Sequence, residues 1–139
     1  MGPDAARTLA VASRLVEKAI GEMTLPQLRI LTLVARAPER ASRLASQSDV
    51  SRPTLTGVLD GLVAKGWIER IEVEGDRRGV ELKATAAGRA ALLDAQAAVA
   101  ARFDTVLDHL EPRRRRDAVV GLEALGEALH AHVRDRTAS

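Results

Sequence analysis

Apolar residues recur at three- and four-residue steps along most of this chain, the period of an α-helix with one buried face. Leu9, Ala12, Val16, Ala19 and Ile20 trace a first stripe, with Arg7, Arg14, Glu17 and Lys18 opposite. The pattern predicts a helix over 7–20 that Gly21 ends. Thr24-Leu25-Pro26-Gln27 reads as a capping box, with Thr at the N-cap, Gln three residues on and Pro in the first turn. The run Leu28, Ile30, Leu31, Leu33 and Val34 marks a buried second helix, which Ala37-Pro38 breaks. Ser42 reads as the cap of a short third helix carrying Leu44 and Ala45. After a turn at Ser48-Asp49-Val50, Ser51 caps a fourth helix with Pro53 in its first turn and Gly66 just past its end. Leu55, Val58, Leu59 and Leu62 form its inner stripe, and Arg52, Thr56, Gly57, Asp60 and Gly61 its other face.

Between 67 and 83 the period shortens. Trp67-Ile68-Glu69-Arg70-Ile71-Glu72-Val73 and Val80-Glu81-Leu82-Lys83 interleave apolar and polar residues. Between them, Glu74-Gly75-Asp76-Arg77-Arg78-Gly79 has the composition of a turn, so the segment predicts a β-hairpin with a charged tip. Thr85 then caps a long helix with Leu92, Val99, Phe103, Val106 and Leu110 on one side, broken at Glu111-Pro112. The last helix carries Ala118, Leu122, Leu125, Leu129 and Val133. The expected fold class is mainly α with a small β-hairpin wing: a winged helix-turn-helix core flanked by N- and C-terminal dimerisation helices.

Composition narrows this picture. The 139 residues suit one domain, and 25 of the hydrophobic residues are Ala, which favours helix over a β-barrel or sandwich. No apolar run nears the ~20 residues needed to span a bilayer, so no membrane partner is expected. The start Met1-Gly2-Pro3-Asp4 lacks the basic region and apolar core of a secretory signal, which makes the cytoplasm the expected compartment. The absence of Cys excludes disulfides, thiol catalysis and zinc fingers. His130 and His132 are two apart and share no helix face, so no metal site or cofactor is expected. Without a Gly-rich phosphate loop or a His–carboxylate cluster, nothing points to an enzyme. The net charge is only +2, and residues 42–83 are neutral overall. Nucleic-acid binding would therefore need a few well-placed groups, not a broad basic face.

Two short helices joined by a tight turn, then a hairpin with a basic tip, match the docking logic of a winged helix-turn-helix. The second helix of the pair fits a major groove ~12 Å wide with its N-terminal residues at base edges. Ser51, Arg52, Thr54 and Thr56 cluster there, although the same residues also suit an ordinary capped surface helix. Asp76-Arg77-Arg78 suits an arginine in a narrow minor groove, and also a solvated turn. The run Arg113-Arg114-Arg115-Arg116 has Asp104, Asp108, Glu111 and Asp117 near it and reads as a salt-bridged face. The first- and last-helix stripes are not needed to close a winged-helix core of some 60 residues. Packed on a second copy, they would bury a two-fold seam and set two recognition helices about 34 Å apart; a monomeric cap is the alternative.

Five stretches in this order resemble the multiple-antibiotic-resistance regulator (MarR) family. They are Leu25-Pro26-Gln27-Leu28-Arg29-Ile30-Leu31, Ser51-Arg52-Pro53-Thr54-Leu55-Thr56, Leu62-Val63-Ala64-Lys65-Gly66-Trp67-Ile68-Glu69-Arg70, Asp76-Arg77-Arg78, and Leu82 to Arg89. The resemblance covers residues 24–92, about half the chain. It implies a homodimer bound to a pseudo-palindromic site in double-stranded DNA, usually a repressor released by a small-molecule effector. It places DNA contacts on Ser51, Arg52, Pro53, Thr54 and Thr56, with Ser42 in the same set. The wing residues Asp76, Arg77 and Arg78 would join them, Arg78 in the minor groove and Asp76 orienting it. An effector cleft would lie among the first, second and fifth helices, with Arg14 and Arg29 as anion partners. The implied division is 1–23 (N-terminal dimerisation helix), 24–84 (DNA-binding lobe) and 85–139 (C-terminal helices). Departures are Gly57 and Gly61 where the family often has long polar side chains, Asp49 at a turn position commonly Gly, and Ser48 in place of an apolar residue. The alternative function is a winged-helix adaptor for another protein.

Overall fold

The computed structural model describes residues 1–48, 50–75 and 79–138. Asp49, Asp76, Arg77 and Arg78 lie outside the described residues, and so do the readings of Asp49 as a left-handed turn residue and of the wing tip as a minor-groove probe. In chain order the elements are α1 (Pro3–Ala19), α2 (Leu25–Arg36), β1 (Glu39–Arg40), α3 (Ala41–Ser48), α4 (Arg52–Ala64), β2 (Ile68–Glu72), β3 (Val80–Ala84), α5 (Ala86–Leu107) and α6 (Pro112–Ala138). The chain divides into two units, Met1–Val99 and Ala100–Ser139. Among the described residues, no helix is long and apolar enough to cross a membrane.

In the first unit the elements begin and end where local chemistry dictates. Thr24 Oγ1 accepts from Gln27 N–H while Gln27 Oε1 accepts from Thr24 N–H, completing the capping box of α2. Gly21 follows α1 at φ +62° and Gly66 follows α4 at φ +71°, a left-handed backbone that glycine adopts without a Cβ penalty. Thr85 Oγ1 accepts from Gly88 N–H and starts α5. Helix α1 begins at Pro3, four residues earlier than its apolar stripe predicts, because a proline at the first helical position is pre-set for the helix.

Three differences from the sequence reading have local causes. A two-residue strand, β1, pairs with β3 (Glu39 opposite Leu82, Arg40 opposite Glu81), so the hairpin is part of a three-stranded sheet in the order β1-β3-β2. Helix α3 starts directly after that strand, at Ala41, which puts Ser42 inside the first turn instead of at the N-cap. Gly61 does not belong to the open face of α4. A Cβ there would lie 3.0 Å from Nε2 of the buried Gln27, so the missing side chain makes room for α2.

The core of this unit is aliphatic. Ile30, Leu31 and Val34 of α2, Leu44 of α3, Leu55, Leu59 and Leu62 of α4, Ile68 of β2, Leu82 and Ala84 of β3, and Leu92 and Ala95 of α5 form one buried cluster. Arg89 of α5 donates to the Ala35 carbonyl at 2.7 Å, satisfying an acceptor that the end of α2 leaves open. Ser48 is half-buried, and its hydroxyl donates to the Leu44 carbonyl one turn back, so the polar side chain costs α3 no unpaired group. Gly57, by contrast, has nothing within 4 Å of a built Cβ. Gly57→Ala is therefore expected to stabilise the protein by about 1 kcal/mol, read as a rise of a few degrees in the unfolding midpoint.

The second unit holds the end of α5 and all of α6. Helix α5 stops at Leu107, short of Leu110, and Asp108, His109 and Leu110 form the turn before Pro112 opens α6. Arg115 is held by Asp104 at 2.7 Å and Asp108 at 3.3 Å, so one member of the arginine run braces α6 on the end of α5. On α6, Val120, Leu122, Leu125 and Leu129 are exposed, while Ala118 and Val133 are partly covered.

Candidate nucleic-acid interface

Helix α4 is fixed from below by Leu55, Leu59 and Leu62, each 5% exposed or less, which leaves its opposite face in solvent. Ser51 is its N-cap, with Oγ accepting from Thr54 N–H. Pro53 has no N–H and the Thr54 N–H is taken by the cap. Of the first three backbone donors, therefore, only that of Arg52 stays open to an anion among the described residues. The free helix end is a narrower phosphate site than its sequence suggests.

The exposed side chains fall into distinct chemical roles. Ser51 Oγ donates to Thr54 Oγ1 at 2.9 Å, which leaves the Thr54 O–H free to donate outward. Thr56 Oγ1 donates back to the Arg52 carbonyl at 3.0 Å. Its hydroxyl therefore presents lone pairs and a methyl group, a set suited to a base amino group or a thymine methyl. Arg52 is exposed and has no partner among the described residues. Asp60, farther along α4, is tied to Arg70 of β2 by a 2.7 Å ion pair that links the helix to the sheet. Sequence reasoning missed this link, since the two residues lie on elements whose approach no local pattern reports.

The structure brings Ser51, Arg52, Pro53, Thr54 and Thr56 together at one exposed helix end. Ser42 is exposed on α3. Arg14 on α1 and Arg29 on α2 are both exposed and have no partner among the described residues. Among the described residues, no group of three His, Asp or Glu side chains could hold a metal ion. The sequence reading also missed the junction behind the C-terminal end of α4. Lys65 Nζ donates to the Glu22 carbonyl at 3.1 Å and to Gln27 Oε1 at 3.3 Å, and sits 4.5 Å from the centre of the Trp67 ring.

A helix pair, a capped second helix with its polar face open, and an antiparallel wing define a winged helix-turn-helix. Residues 23–80 match the model of the MarR family. It is 33% identical over 69 residues to the HTH-type transcriptional repressor YetL of Bacillus subtilis, a match covering 48% of this chain and 41% of YetL. The chain spans about half the length of the curated relatives it matches, 55% in a second B. subtilis case. Its fold superposes on the MarR family protein Rv2887 of Mycobacterium tuberculosis in complex with p-aminosalicylic acid. That match has a TM-score of 0.70 at 29% identity and covers 88% of this chain and 95% of that one. It also superposes on apo MarR of E. coli, with a TM-score of 0.72 at 26% identity and coverage of 93% and 97%.

Proposed function

We propose that this protein is a sequence-specific regulator of transcription that binds a pseudo-palindromic promoter site as a homodimer and acts as a ligand-responsive repressor. The observation that carries the reading is the N-terminal end of α4. Arg52, Thr54 and Thr56 stand exposed there on a helix held rigidly by its buried leucines. Arg52 supplies a fork-shaped cation, Thr54 an outward donor and Thr56 an acceptor with a methyl, together a set that reads base edges and holds phosphate. Asp76, Arg77 and Arg78 at the wing tip would add a minor-groove contact.

Dimerisation rests on the exposed apolar residues of α1 (Leu9, Val11) and α6 (Val120, Leu122, Leu125, Leu129), which a second copy would cover. In this reading the lobe 24–84 binds DNA, while 1–23 and 85–139 hold the dimer. A small-molecule anion is the proposed effector, with Arg14 and Arg29 as its partners. Support comes from the p-aminosalicylate, an aromatic carboxylate, in the Rv2887 complex.

The test is selection of duplexes from a random pool, followed by titration at several salt concentrations. Binding should weaken steeply with salt as phosphate contacts release counterions. Arg52→Ala should cost about tenfold to a hundredfold on the selected duplex. Thr56→Ala should change the selected sequence more than the affinity for random DNA. A wild-type protein that enriches no sequence would favour the adaptor reading, which the neutral balance of residues 42–83 keeps in play.

A further inference from the structure

We infer that Lys65 is a positioning residue for sequence-selective binding: a strut that fixes the tilt of α4 against the α1–α2 turn. The inference rests on the reading of α4 as the DNA-contacting helix. Lys65 is the C-cap of α4, and its ammonium joins three other elements. It donates to the Glu22 carbonyl in the turn after α1 and to Gln27 Oε1 in the capping box of α2, and it lies over the indole of Trp67 ahead of β2. Gln27 completes the joint. Its Oε1 also accepts from Thr24 N–H, and its Nε2 occupies the space that Gly61 leaves on α4. Two successive turns of α4, at Gly61 and Lys65, are thus keyed to one buried amide.

Leverage makes this junction matter at the far end of the helix. Thirteen residues span roughly 18 Å at 1.5 Å per residue, so a tilt of about 3° about the C-terminal end moves the N-terminal end by about 1 Å. Base-edge hydrogen bonds tolerate about half of that displacement. Long flexible contacts to phosphate accommodate more. Loosening the strut should therefore cost discrimination between sequences more than it costs affinity for DNA in general.

The experiment compares full-length wild type, Lys65→Met and Lys65→Arg on two probes: the duplex that wild type selects from a random pool, and an unselected duplex of equal length. Methionine keeps the apolar stem and removes the donors and the charge. It is expected to lower the ratio of the two affinities about tenfold, with the affinity for the unselected duplex within a factor of two or three of wild type. Trp67 is the sole tryptophan, so its emission reads the junction directly and should shift in Lys65→Met without DNA present. Arginine, which restores donors and a cation over the indole, should recover most of the ratio, and it carries the test if the methionine variant does not fold.

An equal loss on both probes, with the salt slope reduced by about one, would make Lys65 a phosphate contact and overturn the inference. A lowered unfolding midpoint with an unchanged ratio would overturn it too, leaving a structural staple. A wild type that selects no sequence would overturn the DNA-binding reading and the strut together. A selective wild type with an equally selective Lys65→Met would overturn the strut alone.

Discussion

Replacing Gly88 with alanine is expected to destabilise the protein by about 3 kcal/mol or more, lowering the unfolding midpoint by roughly 10 °C. Gly88 is buried in the first turn of α5, where a Cβ would lie 1.9 Å from the carbonyl oxygen of Trp67 and 2.8 Å from its carbonyl carbon. Both are backbone atoms, so no side-chain rotation relieves the clash. The surrounding bonds also resist a shift. Thr85 N–H donates to the same Trp67 oxygen at 3.0 Å, Thr85 Oγ1 donates to the Gly66 carbonyl, and Gly88 N–H donates to Thr85 Oγ1 at 3.0 Å. Moving α5 outward to admit a methyl group would break this set and pull Leu92 and Ala95 from the core. Thermal unfolding followed by far-UV circular dichroism measures the effect. A midpoint within 2 °C of wild type would show that α5 does not dock on the Gly66–Trp67 backbone as described.

The second large effect concerns α6. A double change of Leu125→Glu and Leu129→Glu is expected to abolish the homodimer and reduce affinity for the selected duplex by about a hundredfold or more, as two-site binding is lost. Leu125 is already 40% exposed and Leu129 56% exposed in the single chain, and the buried cluster runs only from Ile20 to Ala95. The substitutions therefore leave the folded monomer intact. In a dimer they would place four carboxylates where apolar surface is expected to meet, and burying unpaired charge is costly. Sedimentation velocity gives the oligomeric state and circular dichroism the fold. A double variant that still sediments as a dimer would refute the proposed seam.

What could be read from the sequence was what depends on near neighbours. The Thr24–Gln27 box, the Ser51 cap, the Thr85 cap and the glycines ending α1 and α4 are each set within three or four residues, and they stand where the pattern puts them. The same locality made Ser51, Thr54 and Thr56 legible as an exposed polar helix end. Contacts between distant residues were not legible. β1 is two charged residues with no alternation, recognisable only once Leu82 and Glu81 lie beside it. Gly61 reads as a flaw in a helix until Gln27 is seen to fill its space. Lys65 to Gln27, Asp60 to Arg70, and Gly88 to Trp67 all depend on how helices and sheet are laid together. The start of α3 lies two residues ahead of the one that a Ser42 cap implies, because the preceding strand, invisible to periodicity, fixes where the helix begins.

The sheet order β1-β3-β2 has a consequence for crowded conditions. β3 is flanked on both sides, which leaves the outer rim of β2 as the longer open border of the sheet. That rim carries exposed Glu69, Arg70 and Glu72, and the opposite border is a strand of only two residues. Neither offers a flat apolar template for a stray chain to add to. A protein built this way can be gathered at high local density without its wings knitting into fibres.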